Sequence, residues 1–231
     1  GEKTEEILKA SNETPELSVR VNVMKTDRST LKKRLEELGF KAEESRISCR
    51  ALTVKGTGVL ESREYREGLF SVQDEASILV SDILDTKPGD SVADVCAAPG
   101  GKTIATAELM AGKGVIYAMD KYKHKLKLME TQVKRAGIDN IRLICNDSRQ
   151  PLAELRGRMN RVLADVPCSG LGVIRRKPEI KYKGSQDLSE LIDTQQQILR
   201  AAAEYVSDGG ILVYSTCTIN PYENEKQIEN F

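Results

Sequence analysis

The sequence predicts a parallel α/β sheet preceded by a small α+β unit, on three observations. From about Ser71 onward, short apolar runs alternate with helical patterns, the order of a βαβ sheet. Those runs end again and again on aspartate or cysteine, as strands do when they open onto loops along one edge. The first 60 or so residues have another rhythm, strand, helix, polar stretch and strand, which sets them apart as an appendage.

In chain order, LSVRVNV (Leu17 to Val23) alternates apolar and polar residues as a half-buried strand does. A helix from about Ser29 to Leu38 follows and stops at Gly39; RALTV (Arg50 to Val54) is the next strand. The boundary is placed in Gly68 to Gln73, giving an N-terminal α+β subdomain over residues 1–68 and a parallel-sheet domain over 69–231. Five strands are expected in that domain, SVADVC (Ser91 to Cys96), GVIYAMD (Gly114 to Asp120), IRLIC (Ile141 to Cys145), RVLAD (Arg161 to Asp165) and GILVYS (Gly210 to Ser215), all parallel. Leu126, Met129, Val133 and Ala136 recur at three- and four-residue spacing and mark the helix between the second and third, stopped by Gly137. Leu188, Leu191, Ile192, Leu199, Ala202 and Val206 mark another helix face before the fifth, with Asp187 and Glu190 spaced as a capping box. These stripes are core. No repeat or low-complexity segment interrupts them.

The 231 residues are 39% hydrophobic and 30% charged, an ordinary globular composition. No apolar run reaches the ~18 residues of a membrane span, and GEKTEEILKA is too polar for a secretory signal, so a cytoplasmic protein with no membrane partner is expected. Cys49, Cys96, Cys145, Cys168 and Cys217 are odd in number and form no CxxC pair, which argues against disulfides and against a metal site. Cys49 and Cys145 are read as structural. The one histidine, His124 in KYKHKLK, is read as an exposed helix residue. Lys plus Arg balances Asp plus Glu at 35 each, and a monomer is expected. Charge is uneven locally: IRRKPEIKYK (Ile174 to Lys183) holds five cations, among them Arg175, Arg176, Lys177 and Lys181, against one acid, a path for a nucleic-acid backbone.

DVCAAPGGKT (Asp94 to Thr103) follows the first parallel strand and opens a helix, where such sheets bind cofactors. A P-loop would need glycine at position 96, which is Cys96, and the adjacent Gly100 and Gly101 do not form GxGxxG. What remains, Cys96, Ala97, Ala98, Pro99, Gly100, Gly101 and Lys102, is a small-residue turn that brings backbone N–H groups close to a carboxylate such as that of methionine. Asp120 closes the second strand 20 residues after Gly100, where ribose hydroxyls are commonly held; Asp147 follows the third and faces an adenine edge; Asp165 ends the fourth. With Asp94, four consecutive strand ends are acidic, a pattern that suits S-adenosylmethionine.

Two thiols complete the set, Cys168 in ADVPCSG and Cys217 in LVYSTCTINPYENE, each just past a buried strand. A thiolate can add to an electron-poor ring carbon and later leave, activating the neighbouring carbon without a metal. DVCAAPGGKT, ADVPCSGLGVIRRKPEIK and YSTCTINPYENE resemble the motifs of the RNA cytosine-5 methyltransferases, most closely the RsmB (Sun/Fmu) type that modifies small-subunit ribosomal RNA; VRVN (Val19 to Asn22) and SVQDEAS (Ser71 to Ser77) resemble upstream motifs of that family.

The resemblance spans about Val19 to Phe231. It implies a Rossmann-like S-adenosylmethionine-dependent methyltransferase sheet with a small RRM-like N-terminal α+β subdomain, and ribosomal RNA as partner. It also implies roles: Cys217 as the nucleophile at cytosine C6, Cys168 as the thiol that helps release the methylated base, Asp165 as a donor to ring N3, and Lys102 steadying the pocket. Cys96 is expected to pack under the loop. The NusB-like helical domain common in this type is not within these residues, and further strands are expected beyond the helix that begins near Phe231. Two rivals stand beside this reading. A DNA cytosine-5 methyltransferase would use Cys168 as nucleophile and has no need of Cys217; a noncatalytic RNA-binding assembly factor would show a damaged cofactor loop or a lost thiol.

Overall fold

The computed structural model describes residues 2–182 and 188–231. After a first helix, α1 (Glu2–Ala10), the N-terminal unit runs β1 (Leu17–Val21), α2 (Arg28–Glu37), β2 (Lys41–Glu44), β3 (Ala51–Lys55), α3 (Arg63–Arg66) and β4 (Phe70–Val72). Its antiparallel sheet has the order β2-β3-β1-β4. This βαββαβ order is the ferredoxin-like arrangement, to which RRM sheets belong. Asp27 caps α2 by accepting from Thr30 N–H at 2.8 Å, and Leu31 and Leu35 turn inward onto Val19, Val21, Leu52 and Phe70. β2 and β4 went unread in the sequence. KAEE buries only Ala42, and FSV is three residues long, so neither shows enough alternation to register. The first strand ends at Val21 and not Val23, because Asn22 turns away to donate to Gly68 O and Ala136 O, both at 3.0 Å.

The second unit holds α4 (Glu75–Ile83), β5 (Ser91–Asp94), α5 (Gly101–Leu109), β6 (Val115–Asp120), α6 (Lys123–Ala136), β7 (Ile141–Cys145), β8 (Met159–Asp165), α7 (Leu188–Ala203), β9 (Val206–Ser215) and α8 (Glu225–Glu229). Its five strands are all parallel, in the order β7-β6-β5-β8-β9. The order reverses at β5, so the loops after β5 and β8 flank a crevice at the carboxyl edge. Leu126, Met129, Val133 and Ala136 are the buried face of α6, and Gly137 ends it in the left-handed region. The α7 stripe is less regular than its spacing predicts. Leu188 is exposed, Val206 opens β9, and the buried face includes the polar Gln195. Asp187 of the expected capping box lies outside the described residues.

The two units are joined by buried arginines. Arg20, on β1 and fully buried, donates from Nε and Nη2 to the two carboxylate oxygens of Glu108 on α5 at 2.9 and 2.8 Å. Its Nη1 reaches Gly101 O at 2.9 Å and the Gln73 side chain. Arg50 bonds Asp82 on α4, and Arg135 on α6 donates to Tyr65 O and Phe70 O while lying 4.1 Å from the Tyr65 ring. Gly68 is obligatory there, with φ +72° and a carbonyl of Arg135 2.1 Å from where a Cβ would sit. The VRVN and SVQDEAS motifs are therefore the seam between the sheets, through Arg20, Asn22 and Gln73. Breaking a buried ion pair from one side strands the other charge, so Arg20→Ala is expected to cost about 3–5 kcal/mol in urea unfolding, and an Arg20→Met/Glu108→Leu pair less than either single change.

Candidate active site

β8 and β9 lie side by side with Asp165 opposite Ser215, and each strand runs straight into a thiol loop. Cys168 and Cys217 meet there with their sulfurs 3.1 Å apart, and the Cys217 N–H donates to Cys168 Sγ at 3.2 Å. The thiols are not equivalent. The hydrogen bond from Cys168 lowers the Cys217 thiol to about 7 against the opposing effect of burial, with Lys177 and Lys102 adding attraction and Asp165 opposing it. The same bond, with burial, holds the Cys168 proton far more tightly than in a free thiol. The pairing thus favours the thiolate on Cys217 and the proton on Cys168.

Asp165 accepts from Lys102 Nζ at 2.7 Å and from Ser215 Oγ at 2.8 Å. Asp165, expected to donate to ring N3, thus stands beside the thiols in an ion pair with Lys102.

A cleft of about 480 Å³ opens beside the thiols, lined by Val95, Cys96, Ala98, Asp120, Asp147 and Asp165 among others, with Cys168 and Cys217 at its wall. Its size suits a nucleoside-sized ligand. Asp120 gives one oxygen to the Tyr122 N–H at 2.9 Å and, among the described residues, leaves the other without a protein donor. Asp147 is held by Arg149 at 2.6 and 3.0 Å and by Lys121 at 3.3 Å, which keep its carboxyl well below the usual range. Of the turn residues, Cys96 and Ala98 line the cleft, Ala97 is buried and Pro99 exposed. Gly100 adopts φ +103°, where a Cβ would stand 2.7 Å from the Met129 side chain, and α5 opens at Gly101 with no side-chain cap. That arrangement, with one free carboxylate oxygen at the end of β6, fits S-adenosylmethionine.

Three sequence expectations change in place. Asp94 is not at the cleft: it is buried under the turn, bonded to Thr103 Oγ1 at 2.6 Å, and burial pushes its carboxyl up to about 7. Cys49 and Cys145, read as structural, are exposed, because one lies in a turn and the other ends the edge strand β7. The basic segment, expected as a path for a nucleic-acid backbone, has several of its cations paired within the chain. Arg175 bonds Glu13 O and Thr14 O, Arg176 pairs with Asp74 at 2.5 Å, and Lys181 bonds the Asn12 side chain, whereas Lys177 lines the thiol cleft. A second groove of about 550 Å³, lined by Ser18, Thr53, Lys102, Arg175 and Arg176 among others, leads from the N-terminal sheet to Cys217. Sequence reading missed Gln195 and Glu223, which lie buried behind the thiols. Their only signal was a polar residue on an apolar stripe and an acid inside the third motif.

Residues 81–231 match the 16S rRNA methyltransferase RsmB/F family, and residues 1–60 match the ferredoxin-like domain of RsmF/B-like methyltransferases. The chain belongs to the RsmB/F family. That family consists of S-adenosylmethionine-dependent methyltransferases. A probable ribosomal RNA small subunit methyltransferase B of Bacillus subtilis is 40% identical over 233 residues, covering 100% of this chain and 52% of that protein. The crystal structure of PH0851 superposes with a TM-score of 0.95 at 38% identity, covering 100% of this chain and 53% of that one. A methyltransferase homolog protein from Pyrococcus horikoshii gives 0.85 at 33% identity, over 95% and 70%. The chain spans about half the length of the curated relatives it matches. Both sheets of this RsmB/F chain thus have the expected Rossmann-like and ferredoxin-like form.

Because Cys217 is held near 7, its alkylation by iodoacetamide is expected to be half-maximal near that pH and to fall as pH drops and the thiolate is protonated. In Cys168→Ala the donor is gone, and the half-point should rise toward that of a free thiol, about 8.5. Peptide mass spectrometry across a pH series checks both.

Proposed function

We propose that this RsmB/F chain carries the catalytic unit of an enzyme that methylates C5 of a cytosine in RNA, small-subunit ribosomal RNA in particular, using S-adenosylmethionine. One observation carries the reading: two thiols 3.1 Å apart at the mouth of the cleft, in surroundings that favour the thiolate on Cys217.

Cys217 attacks C6 of the base, the C6–S bond forms, and the C5–C6 π electrons become available at C5. Lys102, anchored by Asp165, meets the negative charge that builds on the ring. S-adenosylmethionine bound beside Asp120 supplies the methyl group that C5 takes. Once the Cys217 sulfur is bonded to carbon, Cys168 loses its thiolate partner and is free to assist elimination. Cys168, once its own proton has passed to solvent, takes the C5 proton as a thiolate; the C–H electron pair restores the C5–C6 double bond, and the C6–S pair returns to Cys217. A base must leave its stack to reach the thiols, so loops and bulges are better substrates than a perfect duplex.

The decisive test uses labelled S-adenosylmethionine, ribosomal RNA and nucleoside identification. Cys217→Ala abolishes transfer, whereas Cys168→Ala accumulates a denaturation-resistant protein–RNA adduct. The reverse pattern would make Cys168 the nucleophile, as in the DNA enzymes, and label in any nucleoside other than 5-methylcytidine would sink the reaction itself.

Lys177 is the cation of the basic segment that lines the thiol cleft. Lys177→Ala is expected to lower the slope of log affinity against log salt by about 0.7, the contribution of one contact to a single strand. Filter binding over a salt series measures it.

A further inference from the structure

Behind the thiols lies a polar network that takes no part in the chemistry described above. Glu223 is fully buried at the end of the short turn Pro221–Glu223, which Asn220 caps and Pro221 begins. Its carboxylate is saturated. Oε1 accepts from the Ser169 N–H at 2.8 Å and Gln195 Nε2 at 3.0 Å; Oε2 accepts from Ser169 Oγ at 2.6 Å and Asn220 Nδ2 at 3.0 Å. Burial alone would push the carboxyl up, but the donors from Ser169, Gln195 and Asn220 outweigh it and keep Glu223 below its ordinary value.

These bonds bracket both thiols. Ser169 adjoins Cys168, and on the other side Gln195 Nε2 donates to Pro167 O at 3.0 Å, so the Cys168 loop is held fore and aft. Ser169 Oγ also lies 2.8 Å from Thr218 Oγ1, and Thr218 adjoins Cys217. The Cys217 loop is tied again through Asn224, which accepts from Thr216 Oγ1 at 2.6 Å and donates to Thr218 O at 3.0 Å, while Tyr214 Oη donates to Glu223 O at 2.8 Å. A buried carboxylate is costly unless it is fully bonded; three of these four bonds come from the two thiol loops, and the fourth comes from Gln195, which itself holds the Cys168 loop.

We propose that Glu223 is a positioning residue that holds the Cys168 and Cys217 loops in register, so that the two sulfurs stay within hydrogen-bond distance. The purpose of that spacing rests on the two-thiol reaction above; the spacing itself does not. Glu223→Gln keeps the shape but turns an NH₂ group toward donors, which breaks the clamp at Ser169 and at Gln195 or Asn220. Ser169→Ala keeps the backbone donor and removes only the hydroxyl link between Glu223 and Thr218.

The test is the pH profile of iodoacetamide alkylation at Cys217, read by peptide mass spectrometry on the folded chain without RNA or cofactor, beside thermal melts. Glu223→Gln is expected to slow alkylation at pH 7 by roughly tenfold and to move the half-point toward the free-thiol value, with Ser169→Ala following in the same direction by less. If Glu223→Gln folds and keeps the wild-type profile, whether or not it melts earlier, Glu223 is merely structural and the proposal fails. Should it not fold, Ser169→Ala decides: an unchanged profile overturns the proposal and a raised half-point sustains it. Because no methyl transfer is measured, the result stands apart from the outcome of the RNA experiment.

Discussion

The pairing of β8 with β9 is the constraint on which the site depends. Two parallel strands in register, Asp165 beside Ser215, deliver two loops to one edge of the sheet, and each loop carries its thiol within three residues of the strand end. Parallel neighbours need a crossover, here α7, and that helix returns over the sheet to place Gln195 behind the Cys168 loop. Without this topology the thiols would be 49 residues apart in the chain with nothing to bring them together.

Proximity then does the electrostatic work. A lone thiol at the surface is mostly protonated near neutral pH, and a lone buried one more so. When two are held at 3.1 Å, one can share its proton with the other, and the hydrogen bond from Cys168, with Lys177 and Lys102 adding attraction, favours the charge on Cys217. Beside the thiols, the Lys102–Asp165 ion pair sets two opposite charges in one fixed unit.

The N-terminal sheet is tied to this centre through a short chain of contacts. Arg20 on β1 grips Glu108 at the far end of α5 and the carbonyl of Gly101 at its start, so the helix that opens the cofactor turn is clamped at both ends by the neighbouring unit. The groove between the units runs on to Cys217.

Periodicity and end residues made the parallel sheet legible from the sequence, together with the α6 face, the cofactor turn and the two thiols, because each depends on local spacing: apolar recurrence, small residues at a turn, a polar residue after a strand. The short strands β2 and β4 carry too few alternating positions to be read, and the Asp94 carboxylate looks the same in sequence whether it ends in a cleft or under a loop. The roles of Arg20, Gln195 and Glu223 were likewise hidden, since a charged residue is assumed exposed until its partner is found, and their partners lie 88, 28 and 54 residues away. Sequence alone determined which chemical groups this protein possesses and which sheet edge they reach. Only the tertiary structure decided that the two thiols touch, that Asp165 pairs with Lys102, that Asp94 is buried and that Arg175 and Arg176 have partners within the chain, because each of those depends on long-range neighbours and on burial.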